Sequence, residues 1–184
     1  MSPVVLACVV LAAACGNSRA PVPSLTRPAA PDGFRTLRFP SAGVSFSSPR
    51  SWPSIPQRVP MVAVVASGSA VISLWRYARV APPPSSSALL AAARATLFGA
   101  IRARQGSVRV VGSRLTRVSG APAIEFHAVE RFGGATRQVL STHVFAPRSE
   151  VVLEEYAPPA LFRTLRYPVF APVRHSFALL AATR

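Results

Sequence analysis

Three histidines and six carboxylates are all the acid–base chemistry that this 184-residue chain offers. Asp32 is its one aspartate, and the five glutamates lie between Glu125 and Glu155. Glu125, His127 and His143 are the constellation to weigh, because a general base oriented by a carboxylate could activate water for hydrolysis. Residues two apart on a strand share a face, so Glu125 and His127 point the same way. In the register proposed below, His143 lies opposite Ile124 and points the other way. The three cannot converge on one metal ion or one proton. Glu125 and His127 are therefore expected on a solvated sheet face, and His143 as a satisfied interior histidine. Glu154 and Glu155 alternate sides, so paired-carboxylate chemistry would need a partner from elsewhere. Trp75 and Tyr77 share a strand face and could line a small-molecule groove with Arg79, or simply form core.

No Gly-x-Ser-x-Gly elbow, phosphate loop or His-Glu-x-x-His is present. Cys8 and Cys15 both fall in the N-terminal apolar stretch, so the remainder holds no thiol nucleophile or ligand. No catalytic residue, metal site or cofactor is assigned. The composition, 50% hydrophobic and 15% charged, has enough apolar side chains to build a core, which excludes a disordered chain. All 21 basic residues are Arg, against 6 acidic ones, for a net charge of +15. They run from Arg19 to Arg184 without clustering on one recognition element, so nucleic acid is not expected as a partner. A basic surface beside an anionic membrane gains roughly 1 kcal/mol per arginine near the headgroups.

The function is most legible at the N-terminus. Residues 3–14 form an uncharged apolar run, too short to span a bilayer and of the length of a signal-peptide core. The run ends in Leu11-Ala12-Ala13-Ala14-Cys15-Gly16 and resembles the lipobox of bacterial lipoproteins. That resemblance implies cleavage before Cys15 and acylation of its thiol. Val5-Leu6-Ala7-Cys8 matches the same pattern with fewer residues ahead of it, so Cys8 stays an alternative. No Arg precedes the run, which a translation start upstream of Met1 would explain. Four prolines between Gly16 and Gly33 make an extended tether. The expected organisation is a signal peptide over 1–14, a lipidated cysteine and tether over 15–33, and one domain over 34–184.

Within that domain, Phe34–Phe39 and Gly43–Phe46 read as short strands, ended by Pro49 and Pro53. Val62–Val65 and Ala70–Tyr77 read as a hairpin about Ser67-Gly68. Three prolines then break the sheet, and Ser85 or Ser86 can cap a helix with Leu90, Ala93, Leu97 and Ile101 on one stripe, ended by Gly106. Val108–Ser113 alternates as a strand. Ala123–Phe132 and Ala135–Ala146 flank Gly133-Gly134, a hairpin that sets Glu130 opposite Arg137 and leaves Phe126, Ala128 and Val139 on one face. Val151–Tyr156 is expected as the last strand, with closing helices over Pro158–Leu165 and Phe170–Leu180.

The opening Gly43-Val44-Ser45-Phe46-Ser47-Ser48-Pro49-Arg50-Ser51-Trp52, the amphipathic helix after a central hairpin, the Gly120 turn before the glycine hairpin, and the close Phe170 to Phe177 resemble PsbP-like domains, including LpqN-type lipoproteins. The resemblance covers about residues 34–180. It implies an α+β fold, an antiparallel sheet sandwiched by helices (an α/β/α sandwich), and a non-catalytic accessory role. The leading expectation is an exported, lipid-anchored binding or accessory protein on the extracytoplasmic face of the cell membrane. Its partners would be the membrane through its lipid, and an envelope protein or small lipophilic ligand. The alternatives are an envelope hydrolase using His127 with Glu125, and a basic polyanion-binding protein.

Overall fold

The computed structural model describes residues 27–104 and 107–180. Cys8, Cys15, the apolar segment, residues 15–26 of the expected tether and Gly106 lie outside the described residues. Among the described residues, ten strands form two antiparallel sheets. In chain order the strands are β1 (Phe34–Phe39), β2 (Val44–Pro49), β3 (Ser54–Pro56), β4 (Met61–Ser67), β5 (Ala70–Ala78), β6 (Val108–Val118), β7 (Ala121–Phe132), β8 (Ala135–Ala146), β9 (Ser149–Ala157) and β10 (Ala178–Leu179). The main sheet has seven strands in the order β3-β4-β5-β9-β8-β7-β6, and the small one has three in the order β1-β2-β10.

Helix α1 (Ser87–Arg104) covers one face of the main sheet, its Leu90 packed with Ile124 and Phe145 and flanked by Ala93, Leu97 and Leu115. Ser86 is its cap, the hydroxyl accepting a hydrogen bond from the Leu89 N–H at 3.2 Å. The other face packs against the small sheet and a C-terminal helical run. That larger core joins Phe46, Val65, Ile72, Leu74, Val144, Leu153, Phe162 and Phe170, each nearly or fully buried. The architecture is therefore the expected α+β sandwich of an antiparallel sheet between helical layers, with a small sheet added to one layer.

Local chemistry explains most elements. Gly133 and Gly134 adopt φ of 56° and 80°, the left-handed geometry of a two-residue hairpin turn. The β7–β8 register is the expected one, Glu130 opposite Arg137 and Ile124 opposite His143. The Glu130 carboxylate accepts from Arg137 Nε at 2.6 Å, and the guanidinium lies 4.4 Å over the Tyr156 ring. On β6 the alternation breaks between Val110 and Gly112, where a bulge leaves Val111 43% exposed and turns Arg114 to the same side as Glu125.

Two expectations about the closing helices are corrected, and the first two strands take a place that the sequence left open. β1 and β2 pair with each other and stay outside the main sheet. The chain after Ser176 does not continue as helix, because Ala178 and Leu179 pair with Ser45 and Val44 as β10. The helical run is continuous from Pro159 to Ser176: α2 (Pro159–Leu165), a π-helical turn (Arg166–Phe170) and α3 (Ala171–Ser176). Pro168 and Pro172 lack an N–H and crowd the carbonyl a turn earlier, and widening to a π turn accommodates them without breaking the run.

The end of the proline-rich segment lies on the domain. Ala29 carbonyl accepts from Trp52 Nε1 at 3.0 Å, and Asp32 Oδ1 accepts from the Ser51 N–H at 3.0 Å. Trp52 is fully buried. Trp52→Ala is expected to cost about 3–5 kcal/mol of stability through the cavity alone, read as a lower urea midpoint; an unchanged midpoint would show that this corner does not support the fold.

Candidate functional site

The face of the main sheet that carries Glu125 and His127 meets the C-terminal helical run, and between them lies a cleft of about 470 Å³. Arg114, Glu125 and His127 approach from β6 and β7, and Phe162, Arg166 and Arg174 from the helix. The π turn places Arg166 and Tyr167 at the rim. Glu125 and His127 do share a face, as their spacing requires, but that face is not bathed in solvent. The run from Pro159 to Ser176 folds back over it, a long-range docking that local alternation cannot reveal.

Glu125 is held by Arg114 in a bidentate pair, Nε to Oε1 at 3.0 Å and Nη2 to Oε2 at 2.9 Å, with Arg174 Nε 3.8 Å from Oε2. Arg174 Nη1 donates to Glu155 Oε2 at 2.7 Å. Glu155 is completely buried, and its Oε1 has no hydrogen-bond partner. Burial pushes its carboxyl up to about 8, even though the Arg174 charge and hydrogen bond pull the other way. His127 stacks on Phe162 at 5.6 Å, with Nε2 buried and unpartnered. Burial first, and then the Arg166 charge, hold its imidazole below the ordinary histidine value. A hydrolytic pairing of His127 with Glu125 gains no support: both oxygens of Glu125 are engaged by Arg114, and the imidazole does not hydrogen-bond to them.

The opposite face carries a second polar group that sequence reasoning missed as a unit. His143 is buried, as expected, and fully satisfied: Nδ1 lies 2.6 Å from Glu150 Oε1 and Nε2 3.1 Å from Ser141 Oγ. Arg79 Nη1 donates to Glu150 Oε2 at 3.0 Å. Burial raises the Glu150 carboxyl, but the hydrogen bonds and charges of His143 and Arg79 outweigh it and leave it below the usual carboxylate value. The Ser141–His143–Glu150 order is that of a hydrolytic triad. Ser141 is completely enclosed, however, and Phe126 stacks on His143 at 5.2 Å, so no carbonyl can reach the hydroxyl. The Ser141/His143 spacing on one strand and the β8–β9 turn were its sequence signal.

Trp75 and Tyr77 stack at 6.3 Å on this face, Trp75 Nε1 donating to Ser73 Oγ at 3.0 Å. Arg79 turns instead to Glu150 and lies 4.8 Å over the Phe145 ring. Glu154 and Glu155 alternate as expected, Glu154 accepting from Ser73 and Glu155 from Arg174.

Two titrations check this geometry. The folded protein keeps a proton on Glu155 that the unfolded chain releases near 4.5, so this group's contribution is present below that value and lost as pH rises through about 8. Relative to Glu155→Gln, the native protein is expected to lose unfolding free energy between pH 5 and 8 with a slope approaching one bound proton; parallel profiles would refute a buried protonated carboxyl. For His127, proton NMR is expected to show titration below 6.5, shifted upward in Arg166→Ala but still below the free value, since burial dominates.

No protein-family model and no curated protein matches this sequence. Solved structures do match it. The chain superposes on the cyanobacterial PsbP (CyanoP) of Synechocystis sp. PCC 6803 with a TM-score of 0.59 and 13% identity, over 79% of this chain and 92% of that one. It superposes on LpqN of Mycobacterium tuberculosis, described as involved in cell envelope biogenesis, with a TM-score of 0.56 and 13% identity, over 82% and 87% of the two chains. Both likenesses span nearly the whole of the compared domain, and the described chain has the PsbP-like fold.

Proposed function

We propose that this protein is an exported, lipid-anchored module of the bacterial cell envelope that binds or assists a partner without catalysis. The observation that carries the reading is the fold it shares with LpqN over most of both chains, joined to the Ala14-Cys15 lipobox at the head of the sequence. Cys15 is the acylated residue in this reading, and Cys8 the alternative. The proline-rich segment ahead of Ala29, which bonds to Trp52 and Ser67 of the domain, serves in this reading as the spacer from the extracytoplasmic membrane surface. Among the described residues no helix is long and apolar enough to cross a membrane.

The acid–base groups support a binding role over a hydrolytic one. His127 has a nearby cation and no carboxylate partner, and the enclosed Ser141 cannot meet a substrate. Cys15→Ala, expressed in a lipoprotein-processing bacterium, is expected to shift the protein from the membrane pellet to the soluble or unprocessed fraction, and mass spectrometry of the native protein to find a diacylated N-terminal cysteine. A variant that still pellets as an acylated species would move the anchor to Cys8, and an unlipidated native chain that keeps Met1 would overturn the reading.

A further inference from the structure

We infer that the cleft between β6–β7 and the C-terminal helical run is a binding site for a small organic anion, an anionic head on a compact apolar body. Three guanidinium groups, Arg114, Arg166 and Arg174, face this cleft, and Glu125 is the one carboxylate that lines it. Glu155 behind Arg174 is uncharged at neutral pH, so Arg174 has only the Glu125 carboxylate, 3.8 Å from its Nε and already held by Arg114, against its charge. Arg114 is taken up by Glu125. Arg166 is not taken up: among the described residues its guanidinium makes no hydrogen bond or ion pair, and lies 5.5 Å from the Tyr167 ring with His127 within reach of its charge. The buried, unpartnered Nε2 of His127 belongs to a neutral ring, which as its Nε2–H tautomer donates to an incoming oxygen. An anion here would relieve two costs at once, the unsatisfied buried nitrogen of His127 and the surplus of three guanidinium groups over one carboxylate.

The rest of the cleft specifies a body for that head. Leu140, Phe162 and Tyr167 form an apolar wall, and Tyr167 is left 74% exposed at the rim. The volume of about 470 Å³ falls among small-molecule sites. Bare phosphate would leave that wall wet, and a neutral hydrophobe would leave the arginines and His127 unanswered.

The inference deepens the reading of the protein as a binding module, and its test is independent of the anchor. Isothermal titration of the full-length protein is expected to show binding of phenyl phosphate, at least about tenfold weaker binding of inorganic phosphate, and no heat from benzyl alcohol. Arg166→Ala, which breaks no hydrogen bond or ion pair, is expected to weaken phenyl phosphate by about tenfold, whereas Arg38→Ala on the exposed side of β1 leaves it unchanged. Dihexanoyl phosphatidic acid binding more tightly than phenyl phosphate would identify a lipid as the carrier of the head, and the reverse order a free solute; either supports the site. No binding of phenyl phosphate, or equal losses in Arg166→Ala and Arg38→Ala, would overturn it while leaving the result with Cys15→Ala untouched.

Discussion

The two-residue period of the β7–β8 hairpin sorts the acid–base groups of the main sheet onto its two faces. Gly133 and Gly134 both sit at positive φ, which allows one tight turn and hence one register. A slip of one residue would send Glu125 and His127 into the layer under α1 and drive Phe126 and Ala128 beneath the C-terminal helix. The Glu130–Arg137 pair across the strands resists that slip with a charge-assisted bond at 2.6 Å in a half-buried setting. Each face then receives its own network, and the two do not share a residue.

On the helical-run face, the decisive balance is between desolvation and charge at Glu155. Taking a carboxylate out of water costs several kcal/mol, and one arginine shared with Glu125 does not offset it. The group responds by holding its proton, and the positive charge of Arg174 is then available to the cleft. The π turn contributes to the same arrangement, because it rotates Arg166 and Tyr167 to the rim while Phe162 and Phe170 stay in the core. A run of two prolines in a helix thereby shapes the wall of a site.

On the α1 face, the Ser141–His143–Glu150–Arg79 chain has the connectivity of an acid–base relay without access to substrate. Its hydrogen bonds leave His143 with both nitrogens satisfied under Phe126. It works as a structural network that ties β8, β9 and the end of β5 together. Connectivity alone therefore does not make a site; the cleft differs because it is open at the Tyr167 rim and keeps an arginine, Arg166, without a carboxylate partner.

Much of this was legible in the chain of residues by itself. Strand alternation, the serine cap of α1, the glycine hairpin and its register, and the separation of His143 from Glu125 and His127 all follow from local periods and turn chemistry, which need only neighbouring residues. The pattern also pointed to the PsbP-like sandwich. Tertiary structure alone decided that β1 and β2 leave the main sheet, that the last residues return as β10, and that a helix interrupted by prolines lies over His127. It alone brought Arg174 to Glu125 and Glu155, and Arg166 to His127, residues far apart in sequence with no shared period. Those contacts arise when two separately formed amphipathic surfaces bury each other, and the partner of an exposed strand face is written nowhere in the strand.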